Sequence, residues 1–333
     1  MLSEPAMGVV LLVNPLGAAL RHYCKVLGEA LRTQGLEVEE VSVLEPSASG
    51  AGRLRWAIDY IRMLWCAVRK HRCSEVVVLW PVFGMFDLLI LRLMRFGATS
   101  LIVHDPIPMV RSVGYGRFAW KLAGSAGRAT VLVHSEAAFR DVQESSSGQI
   151  RVAMLPHPVS VGRPDTADRP ARPAGLVVRV LGQYKPTRDI EALEQIASDL
   201  AGDARLEIVG RGWPDLVGWH VDSRFVPENE LNELICSSSV VVIPYRRFYQ
   251  SGIALRCLEL EVPFVGESGT SLRSLLPADT GLLVRDGEWR AAIDAAAAMS
   301  DAELRDFRER YLEDAHAAYA TYFGRRASNR AKV

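Results

Sequence analysis

Short hydrophobic runs rich in β-branched residues alternate with helical patterns through the first half of the chain. The runs lie at Val9–Val13, Val38–Val43, Glu75–Leu79, Ser100–Val103, Thr130–Val133 and Ile150–Met154. Patterns with the spacing of amphipathic helices lie between them, at Arg21–Arg32, Leu54–Arg72, Phe86–Arg95 and Glu136–Gln143. Continuous hydrophobic runs of this kind are typical of parallel strands that are covered on both faces. The pattern therefore predicts an α/β domain over residues 1–160.

The alternation stops after residue 160. Residues 161–175 are rich in proline and arginine, which predicts an interdomain linker. Strand patterns resume at Leu176–Leu181, Leu206–Val209, Val240–Ile243, Phe264–Val265 and Leu282–Val284. Helical patterns follow near Arg188–Leu200, Glu228–Cys236, Ile253–Glu261 and Glu288–Met299. We predict a second α/β domain over 176–300 and a C-terminal helix within 301–333. This helix could pack back on the first domain.

Two doubly wound, Rossmann-like domains that face each other across a cleft are the simplest fold for this pattern. The chain has 333 residues, which is too long for one ordinary core and suits two. Open α/β sheets bind ligands beyond the carboxyl ends of their strands. Two facing sheets would therefore hold two different ligands on opposite walls of the cleft.

Composition excludes several classes of protein. Hydrophobic residues make up 49% of the chain and charged residues 23%, as in globular proteins. The formal net charge is zero, so nucleic-acid binding has no electrostatic support. The five cysteines form no C-x-x-C pair, and the N-terminus lacks the basic region of a signal peptide. We therefore expect a cytoplasmic protein without a disulfide framework, a structural zinc site or a membrane-spanning helix.

The turn after the first strand of the second domain carries the first sign of chemistry. Gly182 allows the backbone to pass close to a ligand, and Lys185 and Arg188 follow it. Two cations at the carboxyl end of a parallel strand suit a diphosphate. Solvated surface cations would have the same sequence pattern.

A second turn in the same domain lies between the strand Val240–Ile243 and the next helix. Ser251 is a favourable N-cap, Gly252 admits a close backbone approach, and Arg246 adds a positive charge nearby. The free amides at the start of that helix would form an anion site. An ordinary serine N-cap without a ligand is the alternative. Two such turns in one domain, each at a strand end, favour the ligand site.

The C-terminal half resembles the retaining glycosyltransferases of family 4, which have the GT-B fold. The resemblance lies in the stretches VLGQYKPTRDIEALEQI, LEIVGRGWP, VPENELNELICSSSVVVIPYRRFYQSGIALRCLELEVPFVG and TGLLVRDG. It implies that Lys185 and Arg188 bind the diphosphate of a nucleotide-sugar donor and act in catalysis. It also implies that the remaining donor contacts come from Gly182, Gln183, Val209, Gly210, Tyr245, Arg246, Ser251 and Gly252.

One position departs from the family pattern. Many members follow the glycine turn with a glutamate that holds the donor ribose, and Arg256 stands at that position here. Glu259 lies one helical turn further on the same face and could take over the role, or it could be an ordinary helix-surface residue. Ribose recognition by Arg256 or Glu259 is thus an open part of the predicted donor site.

The first domain offers candidates for the other side of the reaction. The turn at Gly17 resembles the family loop that approaches the donor phosphate, and Arg21 and His22 follow it on a helix. His104 ends a strand, where family members often place a histidine near the transferred sugar, so we predict a catalytic role for it. Asp105 would orient His104 or bind an acceptor hydroxyl. A generic turn and a structural histidine are the alternatives.

The resemblance implies transfer of a sugar from a nucleotide-diphosphate donor to an acceptor hydroxyl, with retention and without a metal or a cofactor. The charge that develops on the departing diphosphate would be stabilised by cations and helix amides. The acceptor class stays open between glycans, glycolipids and small molecules, and the sequence does not indicate an oligomer. A catalytically inactive relative that binds partners or regulates, and a nucleotide-sugar epimerase, are the competing hypotheses.

A segment of the first domain suits a membrane surface. Residues Trp56–Arg72 combine aromatic and aliphatic side chains with a basic end. Such a helix could lie on an anionic bilayer and bring in a lipid-linked acceptor. A core-facing helix with a basic last turn is the alternative.

Overall fold

The structure is a computed structural model that describes residues 9–70, 75–94, 96, 98–108, 112–125, 127, 129–162, 173, 175–277 and 280–330, without the side chains of 325–330. The chain divides into two compact units. Unit 1 comprises Met1–Val161 and Asp314–Val333, and unit 2 comprises Gly162–Glu313. Most of the predicted linker over 161–175, and the predicted helix end at Arg72, lie outside the described residues.

Unit 1 contains a parallel six-stranded sheet in the order β2-β1-β3-β4-β5-β6. Its strands are β1 Val9–Asn14, β2 Glu37–Ser42, β3 Glu75–Val78, β4 Ala98–Ile102, β5 Thr130–Val133 and β6 Arg151–Met154. The central strands are buried on both faces, as their continuous hydrophobic runs predict. β2 lies at an edge and has three glutamates among its six residues, which suits an edge strand.

Within the described residues of unit 1, six helices lie between these strands. They are α1 Arg21–Arg32, α2 Pro46–Ser49, α3 Arg53–Lys70, α4 Phe86–Met94, α5 Arg117–Gly124 and α6 Glu136–Ser146. The sequence pattern did not predict α2 or α5, which are short and have glycine at one or both ends. α6 begins where Ser135 accepts a hydrogen bond from the backbone N–H of Ala138.

Unit 2 contains a second parallel six-stranded sheet, in the order β12-β11-β10-β7-β8-β9. Its strands are β7 Leu176–Leu181, β8 Ala204–Val209, β9 His220–Asp222, β10 Val240–Ile243, β11 Phe264–Glu267 and β12 Leu283–Val284. β9 has three residues and no apolar run, so the pattern did not predict it. Two parallel sheets connected by helices confirm the predicted α/β class.

The helices of unit 2 are α7 Ile190–Asp199, α8 Glu228–Cys236, α9 Gly252–Glu259 and α10 Trp289–Ala298. α7 begins later than its predicted start at Arg188, because Asp189 is its N-cap and accepts a hydrogen bond from the N–H of Ala192. Arg188 instead pairs with Tyr245 in an isolated antiparallel bridge.

A buried ion pair explains the arginine in the middle of β7. The guanidinium of Arg179 donates to Glu207 on β8 at 2.5 Å and to the carbonyl oxygen of Leu234 at 2.9 Å. It also donates to the hydroxyl of Ser237 at 2.9 Å. Because these acceptors satisfy it, the charge is compatible with a buried position.

The last helix, α11 Asp301–Arg330, contributes to both units. In unit 2, Arg308 donates a hydrogen bond to the carbonyl oxygen of Gly162 at 2.8 Å. In unit 1, the hydroxyl of Tyr319 donates to the carbonyl oxygen of Pro156 at 2.9 Å, and Phe323 is buried. Across the part of the chain that the structure describes, no helix combines the length and the apolar character needed to cross a bilayer.

Candidate functional site

The turn after β7 has a backbone that requires glycine. Gly182 has a φ of +91°, which lies in the left-handed region. Its N–H donates to the carbonyl oxygen of Val209 at 3.0 Å, and its own carbonyl oxygen accepts from Nε1 of Trp213 at 2.8 Å. Gln183 and Lys185 follow as exposed residues. The hydrogen bonds with Val209 and Trp213 therefore hold the turn in place, while Gln183 and Lys185 face solvent.

A second glycine at the end of β8 makes a close backbone approach possible. Gly210 has a φ of +156°, and a Cβ placed on it would lie 2.2 Å from the carbonyl oxygen of Gly182. Van der Waals contact does not allow that separation. Only glycine therefore lets the ends of β7 and β8 come this close.

The guanidinium of Arg188 lies beneath the Gly182 turn. Arg188 is 4% exposed, and its Nη2 donates to the carbonyl oxygen of Leu181 at 2.9 Å. Its Cζ lies 4.0 Å from the ring centroid of Tyr245 and 5.2 Å from that of Trp213. Its Nε is buried and has no hydrogen-bond partner among the described residues. One polar atom of this buried cation is therefore left without a hydrogen-bond partner in the part of the chain that the structure describes.

Burial lowers the pKa of Arg188 to about 10, against a smaller opposing effect of Tyr245. The side chain therefore remains a cation at neutral pH. Lys185 differs from Arg188 in being exposed, and it forms no ion pair with any residue that the structure describes.

The turn between β10 and α9 has the predicted helix start. Ser251 is the N-cap of α9, and its hydroxyl accepts from the N–H of Ala254 at 3.3 Å. Gly252 is exposed, and a Cβ placed on it would have no atom within 4 Å. The first amides of α9 therefore border open space, as an anion site requires.

The two turns of unit 2 meet. The N–H of Asp189 donates to the carbonyl oxygen of Pro244 at 2.8 Å, which joins the segments after β7 and β10. A Cβ placed on Gly182 would lie 3.5 Å from Nη2 of Arg188 and 3.7 Å from Cγ1 of Ile253 at the start of α9. The glycine turn, the buried cation and the helix start thus share one small region.

Two other arginines near these turns already have carboxylate partners. Arg246 pairs with Asp189 at 3.3 Å and with Glu191 at 2.8 Å. Arg256, which replaces the family glutamate, pairs with Glu259 at 2.9 Å and with Glu228 at 2.6 Å. The positive charge of each is therefore largely offset, and Lys185 and Arg188 are the better-placed cations.

The β1–α1 turn of unit 1 has its backbone donors occupied by its own chain. The N–H of Gly17 donates to the carbonyl oxygen of Val43 at 2.9 Å. The N–H groups of Ala18 and Ala19 donate to the two carboxylate oxygens of Glu45, at 3.0 and 2.9 Å. The role of Gly17 towards a donor phosphate stays a prediction.

Glu45 is a residue that the sequence analysis missed. Burial alone would raise its pKa, but the hydrogen bonds from Ala18 and Ala19 and the charge of Arg21 lower it below the usual value. A glutamate ahead of a short helix carries no distinctive sequence signal, so only the structure reveals its role. Arg21 and His22 are exposed at the start of α1.

The predicted catalytic residue His104 lies in a cluster of rings at the carboxyl edge of the unit 1 sheet. It is 3% exposed, and its Nε2 donates to the carbonyl oxygen of Leu79 at 3.1 Å. The half-buried ring of Trp80 is stacked on it, with centroids 5.5 Å apart. Asp105 follows His104 as a half-buried residue.

Two more histidines complete this cluster. Burial lowers the pKa of His134 to about 3 and that of His157 well below its usual value, and the neighbouring imidazoles add to both effects. Both rings are therefore neutral at physiological pH. Within the described ranges, no group of three or more histidine, cysteine or carboxylate side chains is arranged to hold a metal ion.

Each unit thus gathers part of the predicted site. In unit 2 the predicted donor residues around the two turns are Gly182, Gln183, Lys185, Arg188, Val209, Gly210, Tyr245, Arg246, Ser251 and Gly252, with Arg256 and Glu259 on α9. In unit 1 the predicted residues lie at the ends of β1 and β4 and at the start of α1, at Gly17, Arg21, His22, His104 and Asp105.

No protein-family model matches the chain, and no curated protein matches it. The fold is similar to that of sucrose-phosphate synthase from Thermosynechococcus elongatus, with a TM-score of 0.63 and 14% identity over 97% of this chain and 98% of that chain. It is also similar to a structure described as trehalose-6-phosphate from E. coli bound with UDP-2-fluoro glucose, with a TM-score of 0.61 and 11% identity over 96% and 99% of the two chains.

A third similar structure is an α,α-trehalose-phosphate synthase (UDP-forming) from Burkholderia xenovorans in complex with glucose-6-phosphate. The TM-score is 0.59 at 9% identity, over 96% of this chain and 100% of that chain. These similarities extend over nearly the whole length of each chain. Together with the two parallel sheets, they show that this chain has the GT-B fold with two Rossmann-like domains.

Proposed function

We propose that the chain is a glycosyltransferase that moves a sugar from a nucleotide-diphosphate donor to an acceptor hydroxyl, with retention and without a metal. The observation that carries this proposal is the meeting of two strand-end turns around Arg188 in unit 2. Parallel α/β sheets bind ligands at this edge. Support also comes from the shared fold, since one protein of this fold was solved with UDP-2-fluoro glucose bound.

The donor diphosphate would be held by two kinds of positive group. Lys185 and Arg188 supply charged hydrogen bonds, each worth roughly 1.5–3 kcal/mol. The amides at Gly252 add the N-terminus of α9, worth up to ~2 kcal/mol. Three such contacts suit the roughly −8 kcal/mol of a micromolar complex. Because the same groups stabilise the departing diphosphate, they would act in catalysis as well as in binding.

The remaining donor residues would shape the site around the diphosphate. Val209 and Gly210 would line the base. Arg256 and Glu259, which bind each other, are the candidates near the ribose. The sugar and phosphates would be covered by the residues of the turns, namely Gln183, Tyr245, Arg246 and Ser251, with Gly17 contributed by unit 1.

The acceptor would be bound by unit 1. His104 would lie close to the transferred sugar, and Asp105 would orient it or bind a hydroxyl group. Arg21 and His22, which are exposed at the start of α1, would contact the acceptor. A sugar phosphate is the first acceptor class to examine, since a protein of the same fold was solved with glucose-6-phosphate.

The test is a transfer assay with a panel of nucleotide sugars that includes UDP-glucose, and with glucose, glucose-6-phosphate and lipid extracts as acceptors. We expect product formation that persists in EDTA and an anomeric configuration, read by NMR, that matches the donor. Lys185→Ala should lower turnover by orders of magnitude, whereas Lys25→Ala, an exposed cation on α1, should not. Donor binding without any turnover would favour the inactive relative, and absence of both would contradict the proposal.

We also propose that the protein works in the cytoplasm and can touch the inner face of the membrane. α3 buries Tyr60 and Leu64, but its outer face exposes Leu54 by 76% and Trp65 by 56%. The guanidinium of Arg69 lies 5.3 Å from the Trp65 ring centroid. Exposed apolar groups beside cations suit an anionic bilayer.

Flotation with anionic vesicles tests the membrane contact. We expect the wild-type protein to float and the double variant Leu54→Ser/Trp65→Ser to lose most of this binding. Leu93→Ser is the matched control, because Leu93 is 79% exposed on a different helix. Absence of flotation in the wild type, or equal losses in both variants, would contradict the contact through α3.

A further inference from the structure

Tyr23 on α1 is at the centre of the ring cluster in unit 1. Its ring centroid lies 5.0 Å from that of His104, 5.7 Å from that of His134 and 5.0 Å from that of His157. Its hydroxyl is 2.7 Å from Nε2 of His134. The three histidines follow β4, β5 and β6, so Tyr23 on α1 contacts the ends of three neighbouring strands.

Hydrogen bonds to backbone carbonyl groups determine which nitrogen of each imidazole carries a hydrogen, because a carbonyl oxygen can only accept. Nδ1 of His134 is 3.0 Å from the carbonyl oxygen of Leu155 and therefore carries the hydrogen. Nε2 of His134 is then an acceptor, and the hydroxyl of Tyr23 must be the donor. By the same reasoning His104 carries its hydrogen on Nε2, which faces Leu79.

The ring of His104 is consequently held from several directions. Its Nε2–H bonds to a strand end, and the indole of Trp80 is stacked on one face at an interplanar angle of 22°. Tyr23 meets it edge to face at 78°. Tyr23 is itself fixed by its hydrogen bond to His134. Removing that hydroxyl would loosen one of these constraints without removing a ring.

We infer that Tyr23 is a positioning residue, which fixes the plane of His104 directly and the hydrogen position of His134 through its hydroxyl. This inference rests on the proposed function, because His104 is the residue predicted to lie beside the transferred sugar. Tyr23 itself is buried and does not need to touch the substrate. Its effect should therefore fall on turnover and leave donor affinity unchanged.

The kinetic test compares Tyr23→Phe, Tyr23→Leu and Val26→Ala. Tyr23→Phe keeps the ring and loses one hydrogen bond, so we expect kcat to fall roughly tenfold, with the KM for UDP-glucose unchanged. Tyr23→Leu should reduce kcat further. Val26→Ala is the control for packing, since Val26 is buried on the same helix. A wild-type kcat in Tyr23→Phe, or an equal loss of kcat in Val26→Ala, would overturn the inference.

An NMR measurement keeps the inference testable apart from the transfer activity. Nitrogen-detected imidazole spectra of the wild type at pH 7 should show His134 protonated on Nδ1 and His104 on Nε2. In Tyr23→Phe, the Nε2 resonance of His134 should move, because its lone pair loses an O–H donor. A wild-type His134 protonated on Nε2 would overturn the inference. The expected spectra in a protein that transfers no sugar would contradict the proposed function and leave the geometry of the cluster intact.

Discussion

Replacing Gly210 with alanine would place a methyl group where the backbone of the neighbouring turn already lies. The new Cβ would be 2.2 Å from the carbonyl oxygen of Gly182 and 2.5 Å from its carbonyl carbon. The obstructing atoms are backbone atoms, so no side-chain rotation can relieve the contact. The Gly182 turn must move away from the end of β8.

The size of the effect follows from what the movement breaks. The Gly182 turn would lose the hydrogen bond to Val209 and the one from Trp213, each worth about 1 kcal/mol. An alanine at a φ of +156° adds about 1–3 kcal/mol of backbone strain. We therefore expect Gly210→Ala to lower the free energy of unfolding by roughly 3–5 kcal/mol. For a unit of this size the Tm should fall by roughly 6–20 °C.

Thermal and urea denaturation of the full chain measure this change, and donor binding provides a second measurement. Because the displaced turn carries Lys185, the variant should also bind UDP-glucose at least tenfold more weakly. Gly269→Ala is the matched control, since a Cβ on Gly269 would meet nothing within 4 Å. A Gly210→Ala variant as stable as the Gly269→Ala variant would refute the close backbone approach.

Three further changes test buried charges by urea denaturation. Burial raises the pKa of Asp87 to about 7, so the free energy of unfolding of the wild type should fall by up to roughly 4 kcal/mol between pH 4 and 7. Asp87→Asn should lose less over this range, and parallel curves of unfolding free energy against pH would contradict this. Glu45 has a lowered pKa, so the stability that its carboxylate contributes is present above pH 4.5 and disappears as the pH falls through the lower pKa of the folded state. The difference in unfolding free energy between the wild type and Glu45→Gln should therefore shrink in acid, and a difference independent of pH would contradict this. Arg179→Met should lower the free energy of unfolding by about 3–5 kcal/mol, because it leaves Glu207 buried without its partner, and adding Glu207→Leu should restore much of this loss. An Arg179→Met variant as stable as the wild type would contradict the role of the ion pair.

The sequence predicted the fold because its signals are local. Short β-branched runs such as the one at Val240–Ile243 are typical of buried strands, and the serine before Gly252 marked the start of α9 correctly. β9 was missed because His220–Asp222 has no apolar run, and its strand conformation depends on pairing with β8. Short elements that depend on tertiary pairing carry little signal of their own.

The candidate site was predictable in part for the same reason. The glycine at 182 and the cations after it follow a strand in the sequence, so their place at the sheet edge could be inferred. The contacts of Arg188 with the rings of Tyr245 and Trp213 join residues from three separate turns, and no spacing rule connects them. The carboxylate of Glu45 on the β1–α1 turn is likewise a long-range contact.

The central claim is that the turns after β7 and β10 form a cradle for the diphosphate of a nucleotide sugar. Isothermal titration of UDP-glucose into the wild type and into Lys185→Ala tests it most directly, because Lys185 is exposed and its replacement should leave the fold intact. We predict micromolar binding to the wild type and binding at least tenfold weaker in the variant. Equal affinities, or no heat of binding to the wild type from any nucleotide sugar of the panel, would contradict the claim.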